Sequence, residues 1–77
     1  MPLIHIRSYA GRDLGVKQKA ALAIVKAASE AMNAPETSFT VIYEDLDRET
    51  WDAGERDKYI EPISDLILYA RGELVQK

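Results

Sequence analysis

Pro2 and Arg12 are the residues near the start of the chain whose types and spacing could do chemistry. If the initiator methionine is removed, Pro2 becomes the amino terminus and its nitrogen is a secondary amine rather than an amide. That amine is the one group in the chain suited to act as a base near neutral pH. A free α-amino group titrates at about 7.7–8.0, and a prolyl amine is intrinsically somewhat more basic, but a nearby cation or loss of solvent lowers it. Arg12 could be that cation. Read without further context, Arg12 is a surface residue near a helix start.

These groups need rigid elements to hold them. Leu3 to Tyr9 alternates, with Leu3, His5, Arg7 and Tyr9 on one face and Ile4, Ile6 and Ser8 on the other, the period-two pattern of a strand. Ile4 and Ile6 should face a helix layer, and His5 and Arg7 the opposite side, where His5 reads as a partly exposed strand residue rather than a catalytic one. Gly11-Arg12-Asp13 punctuates the chain, and Asp13 suits an N-cap. A helix is expected from there to about Met32, with Leu14, Ala21, Ile24, Val25, Ala28 and Met32 on one stripe. Asn33 suits a left-handed C-terminal position, and Pro35 prevents continuation.

Ser38 to Glu44 reads as a second strand, carried by Phe39, Val41 and Tyr43 alternating with Thr40, Ile42 and Glu44. A helical crossover of this length predicts a parallel, right-handed β-α-β unit. Two such units edge to edge would make a four-stranded sheet with the helices on one face, hiding edges that a lone two-stranded sheet leaves open. Asp45 to Arg56 is polar and turn-rich. Pro62 suits the first turn of a short C-terminal helix, in which Ile63, Leu66, Ile67 and Ala70 keep helical spacing and Gly72 marks the stop. The fold class expected is α+β, as one domain over residues 1–77.

Seventy-seven residues make a thin core, and oligomerisation is a common remedy where disulfides and metals are missing. The sequence has no cysteine, which fits a reducing cytosol, and one histidine, too few for a cluster of imidazole ligands. No apolar run approaches the ~18 residues needed to span a bilayer, and no signal-peptide core is present, so a soluble cytoplasmic protein with no membrane partner is the default. A net charge of −3 with 30% charged residues offers no basic field for nucleic acid, so an anionic ligand would need a local arginine site.

Met-Pro before an apolar-alternating strand, then Gly11-Arg12-Asp13, then a helix opening with Gln18-Lys19, then Asn33-Ala34-Pro35-Glu36-Thr37-Ser38 leading to Val41-Ile42, resembles the 4-oxalocrotonate tautomerase family of the tautomerase superfamily. The resemblance spans roughly residues 2–55. Glu49-Thr50-Trp51 and the tail ending near Gly72 are more similar to the longer members, which implies a homodimer, with a hexamer as the other assembly. The resemblance implies a cofactor-independent keto–enol tautomerase acting on small anionic enol or dienol carboxylic acids. Pro2 would then be the catalytic base and Arg12 the carboxylate binder, roles that agree with the need for a base titrating near working pH and for a planar, permanently charged donor pair. Trp51 falls where the family places an aromatic wall, and interface anchoring is an equal reading. Tyr9 borders the site in relatives; its hydroxyl could reach substrate, although packing is the plainer role.

The departures from the family also carry information. Thr40 stands where the prototype has an arginine that polarises the substrate's 2-carbonyl oxygen, so that role is absent or falls to Arg48, Arg7 or Arg71. Dehalogenase relatives place an acidic residue where this chain has Ala53, with Asp52 adjacent, and an arginine at Tyr9. Decarboxylase relatives use an aspartate at Ser38. These losses argue against both activities. The rival class is a non-catalytic oligomeric module that keeps the fold and binds a protein through its sheet face or tail.

Overall fold

In the computed structural model, which describes residues 2–76, the alternating segment forms β1 (Leu3–Tyr9) and the long apolar-striped segment forms α1 (Leu14–Met32). Both ends of α1 are capped locally, the first by a side chain and the second by the backbone. The Asp13 carboxylate accepts from the Val16 N–H at 2.9 Å, and Asn33 takes the left-handed conformation (φ 53°, ψ 48°) that ends the helix ahead of Pro35. The chain returns as β2 (Thr40–Leu46), parallel to β1, with Ile4 beside Val41, Ile6 beside Tyr43 and Arg7 beside Glu44. The architecture is thus α+β, built on a β1-α1-β2 unit with a helical segment and a small hairpin appended.

The second strand starts two residues later than its alternation suggests. Ser38 closes a short 3₁₀ turn (Glu36–Ser38), its hydroxyl and its N–H both donating to the Pro35 carbonyl at 2.7 and 3.0 Å. A local side-chain bond of this kind competes with the strand ladder. The ladder therefore begins with the Thr40 N–H donating to the Pro2 carbonyl at 3.1 Å, and it runs on to Leu46, past Glu44.

Alternation across the sheet sorts the side chains as expected. Leu14, Lys17, Gln18 and Ala21 of α1 face Val41 and Tyr43, on the same face as their register partners Ile4 and Ile6. Lys17 also pairs with Asp45 at 2.6 Å. In the middle of the α1 stripe Ala21, Ile24, Val25 and Ala28 are half-buried, but Leu14 and Met32 at its ends stay exposed. Among the described residues none is fully buried, and Leu22 and Leu74 are each 74% exposed. A single chain therefore does not close its own apolar core.

The tail departs from expectation twice. In the stretch Asp45 to Arg56, Asp45 and Leu46 extend β2 and the residues from Arg48 on are helical rather than turn-rich: the Asp47 side chain accepts from the Thr50 N–H (3.2 Å) and hydroxyl (3.0 Å), starting α2 (Arg48–Thr50). A wide turn follows over Trp51–Glu55, kinked at Gly54 (φ 118°), and leads into α3 (Arg56–Ile60). The expected C-terminal helix does not reach Gly72. It is a 3₁₀ run over Glu61–Leu66, broken at Ile63, followed by an antiparallel hairpin of β3 (Tyr69–Ala70) and β4 (Glu73–Leu74). Arg71 (φ 55°) and Gly72 (φ 84°) form its two-residue turn, and two positive φ values are what the natural twist of a hairpin favours.

Candidate active site

The residues singled out for chemistry lie at opposite ends of β1. At its start, Pro2 is half-buried and fixed by its carbonyl to Thr40, the first residue of β2. Beyond its far end, Arg12 is exposed and donates to the Ser8 hydroxyl (3.3 Å) and the Tyr9 carbonyl (3.4 Å). A strand rises about 3.3 Å per residue, so the seven-residue strand that separates them holds the two groups roughly 20 Å apart within one chain. The state of Met1, on which the basicity of the Pro2 nitrogen depends, lies outside the described residues.

Tyr9 is the hub of the Arg12 end. Its hydroxyl donates to Asp52 Oδ1 at 2.5 Å, so it is already engaged rather than directed at a ligand. Accepting that bond, the carboxylate pushes the phenol's pKa above its usual value near 10, with desolvation and the Asp52 charge adding to the effect and Arg48 and Arg56 opposing it. The Arg48 guanidinium lies 4.4 Å from the centre of the Tyr9 ring. Two arginines thus meet one tyrosine, Arg12 on its backbone and Arg48 on its ring.

Trp51, next to Asp52, is half-buried against the sheet face opposite α1, where the Arg7 guanidinium sits 5.6 Å from its ring and 4.3 Å from that of Tyr59. Arg7 also donates to Glu44 from Nε (3.1 Å) and Nη2 (3.4 Å), and His5 Nε2 lies 2.8 Å from the same carboxylate. The His5 hydrogen bond is the larger cause, and Arg7 the second, holding the Glu44 carboxyl below its usual value. This face is polar but internally paired.

Tyr9, Arg12 and the segment bearing Trp51 therefore share one end of the sheet, and Pro2 does not join them within the chain. Of the three arginines that could stand in for the one missing at Thr40, Arg7 is committed to Glu44 and Arg71 sits in the hairpin turn. Arg48 is left, placed by a cap whose Asp47-x-x-Thr50 spacing is visible in the sequence; the contact of Asp52 with Tyr9 has no such signal. Among the described residues no group of His, Asp or Glu is arranged to hold a metal ion, and no helix is long and apolar enough to cross a membrane.

A parallel β-α-β unit whose first strand starts immediately after a proline, with an arginine just past the strand's end, is the arrangement that the resemblance to the tautomerases leads one to expect. The model of the family described as "Tautomerase enzyme" matches residues 2–60, and the chain belongs to that family. Comparison with curated proteins and comparison with solved structures each gave no match.

Proposed function

We propose that the protein is a cofactor-independent keto–enol tautomerase of the 4-oxalocrotonate tautomerase kind, acting on small enol or dienol carboxylic acids. The observation that carries this reading is the family match, which begins at Pro2 itself. With Met1 removed, the Pro2 amine takes the proton from the enol oxygen, the C=O bond forms, and the same proton is returned to carbon; no oxidant, reductant or cofactor is needed for the balance. Arg12 holds the carboxylate through paired N–H donors and neither gives nor takes a proton.

On this reading the site is shared between two chains, and the strand geometry supports it. Antiparallel pairing of β1 with β1 of a second copy, centred on the middle residue Ile6, sets Leu3 opposite the copy's Tyr9. That brings Pro2 of one protomer to the turn carrying Arg12 of the other. Pairing through the β2 edges would leave them three strand spacings apart, roughly 14 Å, too far for one small acid. The homodimer, with a four-stranded sheet and both α1 helices on one face, is also favoured by the exposed apolar side chains of the single chain and by the polar, already paired opposite face, which is costly to bury in a larger stack.

The reading predicts that kcat/KM for an enol acid such as phenylenolpyruvate rises with pH as the amine loses its proton. The decisive variant adds one residue before Pro2, turning its nitrogen into an amide. Activity should fall by about 10²- to 10⁴-fold, the usual contribution of a positioned base. Intact mass establishes the terminus in each preparation, and full activity in the extended variant would remove Pro2 as the base. A second reading, a non-catalytic module, is favoured by the exposed Leu68, Tyr69 and Leu74 of the hairpin, and it forecasts no turnover in either protein.

A further inference from the structure

We propose that the segment Arg48–Ile60 is a detachable strap over the sheet face opposite α1, fastened by the Arg7 guanidinium, which the Glu44 carboxylate holds against Trp51 and Tyr59. The strap is a property of the fold and does not depend on the reaction proposed above.

The close backbone contacts of this segment are chiefly with its own neighbours: α2 with the wide turn, the turn with α3, and α3 with the 3₁₀ run that follows. None of its described residues is fully buried, so apolar burial does not lock it down. Its directional links to the sheet run through a row of side chains on one face of β1. His5 meets the Tyr59 ring edge-on, with centroids 6.4 Å apart. Arg7 lies over the rings of both Trp51 (5.6 Å) and Tyr59 (4.3 Å). Tyr9 donates to Asp52 and carries Arg48 over its ring. Neighbours on one face of a strand are about 7 Å apart, so the three fasten different points of the segment. Of these, Arg7 alone reaches both Trp51 near the start of the strap and Tyr59 near its end.

Arg7 can do this only while it is itself held. A guanidinium offers a flat face to rings and in-plane donors to a carboxylate at the same time. Here Nε and Nη2 donate to Glu44 at 3.1 and 3.4 Å, and the Arg7 side chain is only 17% exposed. Without the carboxylate's charge, a cation so far withdrawn from water is left uncompensated, and its flexible stem lets it swing out to solvent. Both rings then lose their partner. His5, which shares Glu44, does not replace it, because its ring contact is with Tyr59. Gly54 (φ 118°) inside the segment and the break at Ile63 just after it are the joints at which the backbone can absorb the movement. Arg7 and Glu44 are on this account positioning residues that act through Trp51 and Tyr59.

Trp51 is the chain's only tryptophan, so its fluorescence reads the strap directly. In the wild type, quenching by acrylamide should stay well below that of the urea-unfolded chain, as suits a half-buried ring. Glu44→Gln keeps the shape and removes the charge. It should move Trp51 emission to longer wavelength and raise quenching most of the way to the unfolded value. Circular dichroism, sedimentation and the urea midpoint read by circular dichroism should change little, the signature of local opening. Arg7→Lys keeps the charge but loses the flat face and the fork, and it should give part of the same shift; it carries the test if Glu44→Gln does not fold. Tyr9→Phe removes only the Asp52 hydrogen bond and should leave Trp51 close to its wild-type state. A merely structural Glu44 would move quenching and urea midpoint in step. That result, unchanged quenching in the folded Glu44→Gln or Arg7→Lys variant, or a larger shift in Tyr9→Phe than in Glu44→Gln would each overturn the proposal.

Discussion

The two ends of β1 are built on different principles. At the Pro2 end the position is set by the backbone alone, through one ladder bond to Thr40, and no described side chain is bonded to the proline. At the other end side chains from three parts of the chain converge: Tyr9 from the strand, Arg12 from the turn, and Arg48 and Asp52 from the segment after β2. On the proposed function, the first arrangement would present a small reactive group at a half-buried position, and the second would fix charge where an anion can meet it. Rigid strand geometry keeps them about 20 Å apart. On the proposed function, assembly would be part of the active site, because neither end of the strand carries both groups.

If that is right, the largest effect should come from separating the chains. Specific activity should vanish as the protein is diluted below its dimer dissociation constant, and sedimentation equilibrium should show a dimer at micromolar concentration. An active, stable monomer would break the comparison at once, whereas a hexamer would correct only the stacking of dimers. Next in size is the Arg12 end itself. Arg12→Ala should lower kcat/KM by about 10- to 100-fold through loss of a charge-assisted carboxylate contact, with circular dichroism unchanged. Wild-type kinetics in that variant would move the clamp to another arginine.

The smallest effect concerns the polar face between the two ends. Glu44 has its carboxyl held below the ordinary value of about 4.3 by the His5 hydrogen bond and by Arg7. A lowered folded-state pKa means that the stabilisation is fully present above the unfolded value and is lost as pH falls through the folded one. The difference in urea midpoint between wild type and Glu44→Gln should therefore shrink as pH falls below about 4. Because the groups are partly exposed and screened, the difference is expected to be small. A gap that widens in acid would show that the pair does not stabilise the fold.

Legibility in the sequence followed the length of the elements. β1 is readable to the residue and α1 in its approximate extent, since seven alternating positions and nineteen striped ones each repeat their signal several times, and Asp13 and Asn33 mark the ends of the helix. β2 was displaced because Ser38 satisfies its own turn before the ladder can use it. The tail was misread because a short apolar run such as Ile67 to Ala70 fits helix and strand alike, and strands of two residues give the Arg71-Gly72 turn almost no flanking pattern. Within the site, Pro2 and Arg12 stood out through the family resemblance and not through spacing alone. Arg48 and Asp52 reach Tyr9 only through the helical segment after β2, a tertiary contact with no periodicity to announce it.

The shared site can be tested directly by mixing subunits. One partner carries the extra residue before Pro2 and an intact Arg12; the other has a free Pro2 and Arg12→Ala. Each homodimer should be nearly inactive. After the two are unfolded together and refolded at equal concentration, half of the dimers contain one chain of each kind, and in each of these one site joins the free Pro2 of one protomer to the intact Arg12 of the other. About a quarter of wild-type activity should return, as expected for random pairing in a two-fold symmetric dimer. If the mixture stays as inactive as its components, Pro2 and Arg12 do not act together across the interface, and the account of the active site is wrong.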